Sequence, residues 1–217
     1  MIKAAVFDMD GLMFDTERVG RDAWIQVGEQ LGFHNLEQVN ERCLGCNQAY
    51  CRQIFQEEFG GRLTLDDVLT AAKPIQEEYY AEHGMPCKEG LQELLTYLKD
   101  NGMKIAMATS SNRKDAERNL NMAGLWEYFD ALICGDMIRR SKPDPDIYLT
   151  AARTLGVPPE ECIGLEDSRN GIKSVSAAGM HGILIPDLIQ PDEEMTACAE
   201  AVLPDLRAVI GWLEERK

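Results

Sequence analysis

The stretch from Val6 to Glu17, VFDMDGLMFDTE, places two aspartates one residue apart directly after an apolar run. At that spacing the carboxylates of Asp8 and Asp10 repel each other, so a strand that ends in both needs something to offset their charge. Packing does not require such a pair. The pair therefore indicates a chemical site at the end of the first strand.

Polar side chains also follow three later apolar runs. They are Thr109, Ser110 and Ser111 after KIAMA, Lys142 in RRSKPDPDIY, and Glu166 and Asp167 at the end of ECIGLED. Because the carboxyl ends of parallel strands face one edge of a sheet, we expect these groups to lie near Asp8 and Asp10.

This set of residue types suits phosphoryl chemistry. Asp8, Glu166 and Asp167 offer the oxygen ligands that Mg²⁺ takes together with waters and a phosphate oxygen. The Thr109 hydroxyl and nearby backbone N–H groups can bind phosphate, and Lys142 can neutralise phosphate or pair with a carboxylate. A carboxylate nucleophile can form an aspartyl-phosphate when a metal and a lysine let the two anions approach each other.

Each motif also has a structural interpretation. Thr-Ser-Ser-Asn from residue 109 and Glu-Asp-Ser from residue 166 can cap the helices that follow them, and Lys-Pro-Asp-Pro from residue 142 can be a turn. Taken singly, each motif favours that interpretation. Four of them at the ends of successive predicted strands favour a functional site.

Five apolar runs predict buried strands, and a helix-like segment precedes each of the last four. The runs are IKAAVF, KIAMA, DALICG, ECIGLE and HGILIP. This alternation predicts an α/β fold with a Rossmann-like parallel sheet, helices on both faces, and ligands at the carboxyl ends of the strands.

An all-helical segment interrupts the alternation after the first strand. Residues from about Phe14 to Glu82 contain no strand candidate, and HGMPCKEG (83–90) has the glycines and proline of a return linker. We therefore predict a core domain of residues 1–15 and 86–217 with a helical cap domain of residues 16–85. A helical insert beside a strand-end site is typical of a lid over a pocket.

Composition excludes several classes of function. The net charge of −15 repels polyanions, so we expect no nucleic-acid partner, and no apolar run is long enough to span a membrane. The start MIKAAVFDMD lacks a signal peptide, so we expect a cytoplasmic protein, with a monomer as the default. The seven cysteines are scattered, and Cys43 and Cys46 form only half of a zinc motif. We expect reduced thiols.

The motifs DMDGLMFDTE, IAMATSSN, SKPDPDIY and GLEDSRNGIKSVSAAGM occur in this order in the chain. In these residues the chain resembles the haloacid dehalogenase-like (HAD) hydrolase superfamily, in the branch of beta-phosphoglucomutase and small sugar-phosphate phosphatases. The match covers about residues 1–15 and 86–190. It implies the HAD fold, in which a Rossmann-like core carries an inserted helical cap.

The resemblance implies a role for both aspartates of the first motif. Asp8 would be the nucleophile and a Mg²⁺ ligand. Asp10 would be the general acid that protonates the leaving oxygen and then the base that activates water, with its backbone carbonyl on the metal. HAD members that act on other leaving groups, such as the haloacid dehalogenases, lack an acid at the position of Asp10. The presence of Asp10 therefore favours phosphate esters as substrates.

The resemblance also implies how phosphate and metal are held. The transferring phosphoryl group would bind Thr109 and the Ser110 amide, with Lys142 bridging it to the nucleophile. Asp167 would bind Mg²⁺, with Glu166 beside it directly or through water. The substrate would be a small phosphorylated metabolite.

The cap decides between a phosphatase and a mutase. Beta-phosphoglucomutase-like sequences carry a histidine where this chain has Gly20, and Lys and Arg where it has Leu44 and Gln48. A mutase must hold a bisphosphate, which calls for cationic side chains in the cap. The absence of these residues at the matching positions favours a simple phosphatase. A hexose-phosphate mutase and a non-catalytic phosphometabolite-binding protein are the alternatives. Specificity is expected in the cap, near Thr16, Gly20, Trp24, Gly45, Asn47 and Arg52.

Overall fold

The computed structural model describes residues 1–44 and 48–216. The chain divides into two compact units, one formed by Met1–Phe14 with Cys87–Lys217 and the other by Asp15–Pro86. Within the described residues, no helix is both long enough and apolar enough to cross a membrane.

The second unit is helical. Its helices are α1 (Thr16–Leu31), α2 (Leu36–Cys43), α3 (Gln48–Phe59) and α4 (Leu65–His83). Apolar side chains from all four helices form one core, in which the rings of Trp24 and Phe55 pack edge to face at 5.5 Å. A capping box starts α4, because Thr64 accepts from the Asp67 amide and Asp67 accepts from the Thr64 amide.

The first unit contains a parallel sheet of six strands in the order β3-β2-β1-β4-β5-β6. The strands are β1 (Ala4–Phe7), β2 (Lys104–Thr109), β3 (Ala131–Cys134), β4 (Cys162–Glu166), β5 (His181–Leu184) and β6 (Ala201–Val202). The predicted α/β fold is confirmed. Among the strands of the described residues, β6 alone was not predicted, because its two residues show no apolar run.

Helices connect the strands and cover the sheet. They are α5 (Leu91–Asp100), α6 (Arg113–Met122), α7 (Asp146–Leu155), α8 (Arg169–Ala177), α9 (Glu193–Cys198) and α10 (Ala208–Glu214). The Asn112 side chain caps α6 by accepting from Asp115, and Ser168 caps α8 by accepting from Gly171. The capping interpretation of these two motifs thus holds alongside any functional one.

The strand order reverses beside β1, whose neighbours are β2 and β4. Phe7 aligns with Met107 on one side and with Leu165 on the other. The residues that follow these three strands therefore meet at one edge of the sheet. In sheets of this type, that crevice is where ligands bind.

Candidate active site

The chain turns sharply as it leaves β1. The Asp8 amide donates to the Leu165 carbonyl at 3.0 Å, which continues the ladder to β4 by one more residue. Gly11 then adopts φ +83°, and a Cβ atom there would lie 2.3 Å from Oδ2 of Asp167. Only glycine fits both the left-handed backbone and this close approach. The turn thus sets the first motif against the carboxylate that follows β4.

A buried lysine lies at the centre of the site. Its ammonium donates to Oδ1 of Asp8, to Oε1 of Glu166 at 2.6 Å and to the Ala108 carbonyl at 3.0 Å. The Lys142 side chain is 6% exposed and that of Glu166 is fully buried. Because an ammonium has three protons, these three acceptors fix the position of Lys142.

Burial and charge shift the pKa values of this cluster. Burial raises the pKa of Asp8 to about 8, although Lys142 opposes the shift. It likewise raises the pKa of Asp167 well above its usual range, with Glu166 adding to the effect. Burial lowers the pKa of Lys142, but Asp8 and Glu166 outweigh it and raise that pKa above its ordinary value. Without a further cation beside Lys142, burial therefore favours the protonated forms of Asp8 and Asp167.

The carboxylates fit a divalent cation. Ligand oxygens of Asp8, Glu166 and Asp167 all lie within 4.8 Å of one another. Oδ1 of Asp167 is buried and has no hydrogen-bond partner among the described residues. A buried carboxylate oxygen without a donor is costly unless a cation binds it. Asp8 and Asp167 therefore suit the oxygen ligation that Mg²⁺ prefers.

Glu166 differs from the other two acids because both of its oxygens accept hydrogen bonds. Oε1 accepts from Lys142 and from the Tyr148 hydroxyl at 2.7 Å. Oε2 accepts from the Ser168 hydroxyl at 3.0 Å and from the amides of Asp167 and Ser168. Gly171 makes room for this carboxylate, since a Cβ atom there would lie 1.9 Å from it. Its contacts hold it beside Lys142, and its place on the metal, directly or through water, stays a prediction.

The loop after β2 contacts the first motif. The Thr109 side chain is buried, and its hydroxyl accepts from the Ser111 amide at 3.0 Å. Ser110 is exposed, and Gly135 lies so close to its carbonyl that a Cβ atom would be 2.2 Å away. The Ser111 hydroxyl donates to Oδ2 of Asp10 at 2.8 Å. This bond links the loop to the predicted general acid.

The structure brings the predicted core residues to one sheet edge and adds three that the sequence analysis did not assign. These are Ser111 on Asp10, Tyr148 on Glu166, and Gly171 beside Glu166. Ser111 was visible as a strand-end hydroxyl. Tyr148 is fully buried on α7 and is indistinguishable from packing in sequence. Gly171 lies in the first turn of α8, where a glycine is unfavourable for the helix and can therefore indicate a close contact.

The predicted specificity residues belong to the helical unit. Thr16 begins α1, and a Cβ atom at Gly20 would lie 3.3 Å from Nε2 of Gln76. Trp24 is buried in the core of that unit, where it packs against Phe55. Arg52 is at the surface and pairs with Asp66 at 2.9 Å. Gly45, Asn47 and Cys46 lie outside the described residues.

Comparison with known families gives one match that covers most of the chain. The model of the haloacid dehalogenase-like hydrolases matches residues 2–179. This span includes every strand-end residue of the site.

Individual relatives match at similar coverage. The phosphorylated carbohydrates phosphatase of Thermotoga maritima is 32% identical over 184 residues, which is 84% of each chain. The beta-phosphoglucomutase of Bacillus subtilis is 30% identical over 84% of this chain and 82% of its own. The crystal structure of CbbY from Rhodobacter sphaeroides in complex with phosphate superimposes with a TM-score of 0.77, at 28% identity and 96% coverage of both chains.

Proposed function

Since the chain belongs to the haloacid dehalogenase-like hydrolase family, we propose that it is a Mg²⁺-dependent phosphatase of a small phosphorylated metabolite, such as a sugar phosphate. The family predicted from the four motifs is confirmed, and so is the class of enzyme, a hydrolase with relatives named as phosphatases. The metal, the mechanism and the residue roles are part of the proposal.

One observation carries the proposal. Lys142 binds the Asp8 carboxylate inside a buried group of acids, next to a loop of hydroxyl and amide donors. A carboxylate nucleophile and a phosphate ester are both anions, and they react only where positive charge is fixed between them. Lys142 supplies one such charge, and a cation on Asp8 and Asp167 would supply the rest.

In the first step, an oxygen of Asp8 attacks phosphorus and the bond between phosphorus and the ester oxygen breaks. Asp10 gives its proton to the leaving alkoxide, and Asp8 becomes an aspartyl-phosphate. Thr109 and the Ser110 amide hold the phosphoryl oxygens together with Lys142. Mg²⁺, bound by Asp8, Asp167 and the Asp10 carbonyl, would offset the negative charge that gathers on the phosphoryl group.

In the second step, Asp10 removes a proton from water as that water attacks the phosphoryl group. The bond between phosphorus and the Asp8 oxygen breaks, which releases phosphate and restores both aspartates. The hydrogen bond from Ser111 fits this use of Asp10, because it orients the carboxyl group without a metal contact.

A hexose-phosphate mutase is the second candidate, because a beta-phosphoglucomutase is among the relatives. A mutase reloads its aspartate from a bisphosphate, which requires cations in the cap. Gly20, Leu44 and Gln48 provide none. We therefore rank hydrolysis first. Turnover of beta-glucose 1-phosphate to the 6-phosphate that outpaces phosphate release would reverse this order.

Phosphate release from a panel of sugar and nucleotide phosphates tests the proposal. We expect release from at least one ester with Mg²⁺ and none with a chelator. Asp8→Asn should abolish it because an amide is not a nucleophile. Asp100→Asn, at an exposed position on α5, is the matched control and should retain full activity. Chelator-resistant activity, or activity in Asp8→Asn, would contradict the proposal.

The cytoplasmic location, the monomeric state and the absence of a nucleic-acid partner remain predictions from the sequence. The relatives are named for phosphorylated carbohydrates and related sugars, so carbohydrate phosphates come first in the panel.

A further inference from the structure

Tyr148 contacts both Lys142 and its partner Glu166, although the sequence assigned no role to this last residue of the motif SKPDPDIY. Its ring faces Lys142, with Nζ 5.1 Å from the ring centroid. Its hydroxyl donates at 2.7 Å to the same oxygen of Glu166 that accepts from Lys142. One side chain therefore contacts both the cation and its counterion.

The surroundings of Tyr148 fix its position. The side chain is fully buried, because it lies in the apolar core between α7 and the sheet. Because a buried hydroxyl needs a partner, the contact with Glu166 determines how the ring is oriented. Burial and the charge of Glu166 raise the pKa of Tyr148, so the hydroxyl keeps its proton and remains a donor.

Glu166 transmits this constraint to Lys142. Five donors surround its carboxylate, and Tyr148 is the one that shares an oxygen with the lysine. The other three donors hold Oε2, and the Tyr148 hydroxyl holds Oε1 beside Lys142. Glu166 and the Ala108 carbonyl then hold two protons of the ammonium, and the third is directed to Asp8.

We propose that Tyr148 is a positioning residue for phosphate binding: through Glu166 it fixes the Lys142 ammonium where that ammonium meets both Asp8 and the phosphoryl group. The inference rests on the proposed function, because it assigns Lys142 to phosphate. It does not involve the Asp167 carboxylate, whose buried Oδ1 has no hydrogen-bond partner among the described residues and suits the cation.

Tyr148→Phe tests the proposal, because it keeps the ring and removes only the hydroxyl. Loss of one hydrogen bond to a charged group should raise the dissociation constant of inorganic phosphate about tenfold and lower kcat/KM by a similar factor. Phosphate binding is measured by calorimetry in excess Mg²⁺, and kcat/KM with the best ester from the panel. The Mg²⁺ concentration for half-maximal activity should not change.

Tyr97→Phe is the matched control. It also removes a tyrosine–glutamate hydrogen bond, from Tyr97 to Glu214 at 2.5 Å, but at the surface of the first unit. All three constants should stay at wild-type values in this variant. If Tyr148 had only a structural role, its loss would loosen the whole strand-end edge and weaken Mg²⁺ and phosphate together.

The outcomes separate the two claims. Unchanged phosphate binding in folded Tyr148→Phe, or equal losses for phosphate and Mg²⁺, would overturn the positioning role alone. A wild-type chain that binds phosphate but hydrolyses no ester would overturn the proposed function and leave the binding comparison valid. If Tyr148→Phe does not fold, Glu166→Gln replaces it, and unchanged phosphate binding in that variant also overturns the inference.

Discussion

Replacement of Gly171 by alanine would show how firmly the Glu166 carboxylate is held. A Cβ atom at residue 171 would lie 1.9 Å from that carboxylate, whereas Cβ atoms in proteins essentially never approach other atoms within 3.0 Å. The carboxylate would have to move by about 1 Å, which is enough to break a hydrogen bond. Its donors include Lys142 and Tyr148, so this movement would disturb the centre of the site.

The size of the effect follows from the bonds that break. Loss of two hydrogen bonds to a carboxylate costs about 3–6 kcal/mol, and alanine returns about 1 kcal/mol through its higher helix propensity. The net loss of about 2–5 kcal/mol corresponds to a fall in melting temperature of roughly 4–20 °C for a chain of this length. Because Lys142 shifts with Glu166, we also expect kcat/KM to fall at least about tenfold.

Gly211 is the matched control for this variant. It lies in α10, and a Cβ atom there would meet no atom within 4 Å. Gly211→Ala should therefore stabilise the chain by about 0.5–1 kcal/mol without a change in activity. Thermal denaturation followed by circular dichroism, together with phosphate release, measures both variants. A Gly171→Ala chain that melts at or above the wild-type temperature with full activity would refute the tight packing of Glu166.

Two other changes test the roles of the aspartates. Asp10→Asn should slow hydrolysis of alkyl phosphates far more than that of p-nitrophenyl phosphate, whose phenolate leaves without a proton; equal losses in steady-state assays would contradict the acid role. Burial raises the pKa of Asp8 from 3.8 to about 8, so protonated Asp8 stabilises the metal-free fold below 3.8 and this contribution is lost as the pH rises through 8. Since Mg²⁺ binds the ionised carboxylate, it should raise the melting temperature more at about pH 8.5 than at about pH 6.5, and equal shifts in a thermal melt would count against Asp8 as a ligand.

The core fold was predictable because its signals are local. Apolar runs such as ECIGLE predict buried strands on their own, and β1, β2, β3, β4 and β5 all follow from them. Their parallel arrangement follows from the helices between them. The short β6 and α9 have too few residues to show a period, which is why neither was predicted.

The site was predictable only where residues follow strands. Asp8, Lys142 and Asp167 meet because parallel strands end at one edge, so their approach could be expected without coordinates. The contact from Tyr148 to Glu166 depends on how α7 packs on the sheet, and sequence spacing does not encode that distance. For Trp24, the residue type alone suggested contact with a substrate. In the structure this side chain packs against Phe55 in the core of the helical unit.

The position of β1 in the middle of the sheet has a consequence for the chain during its synthesis. Asp8 is made before its partner Lys142, which follows it by 134 residues, and before the neighbouring acid Asp167. Until the ribosome has released β4, the first strand lacks one of its two neighbours and Asp8 lacks the nearby carboxylates of Glu166 and Asp167. The proposed Mg²⁺ site therefore cannot form before β4 pairs with β1, and metal affinity would report that pairing.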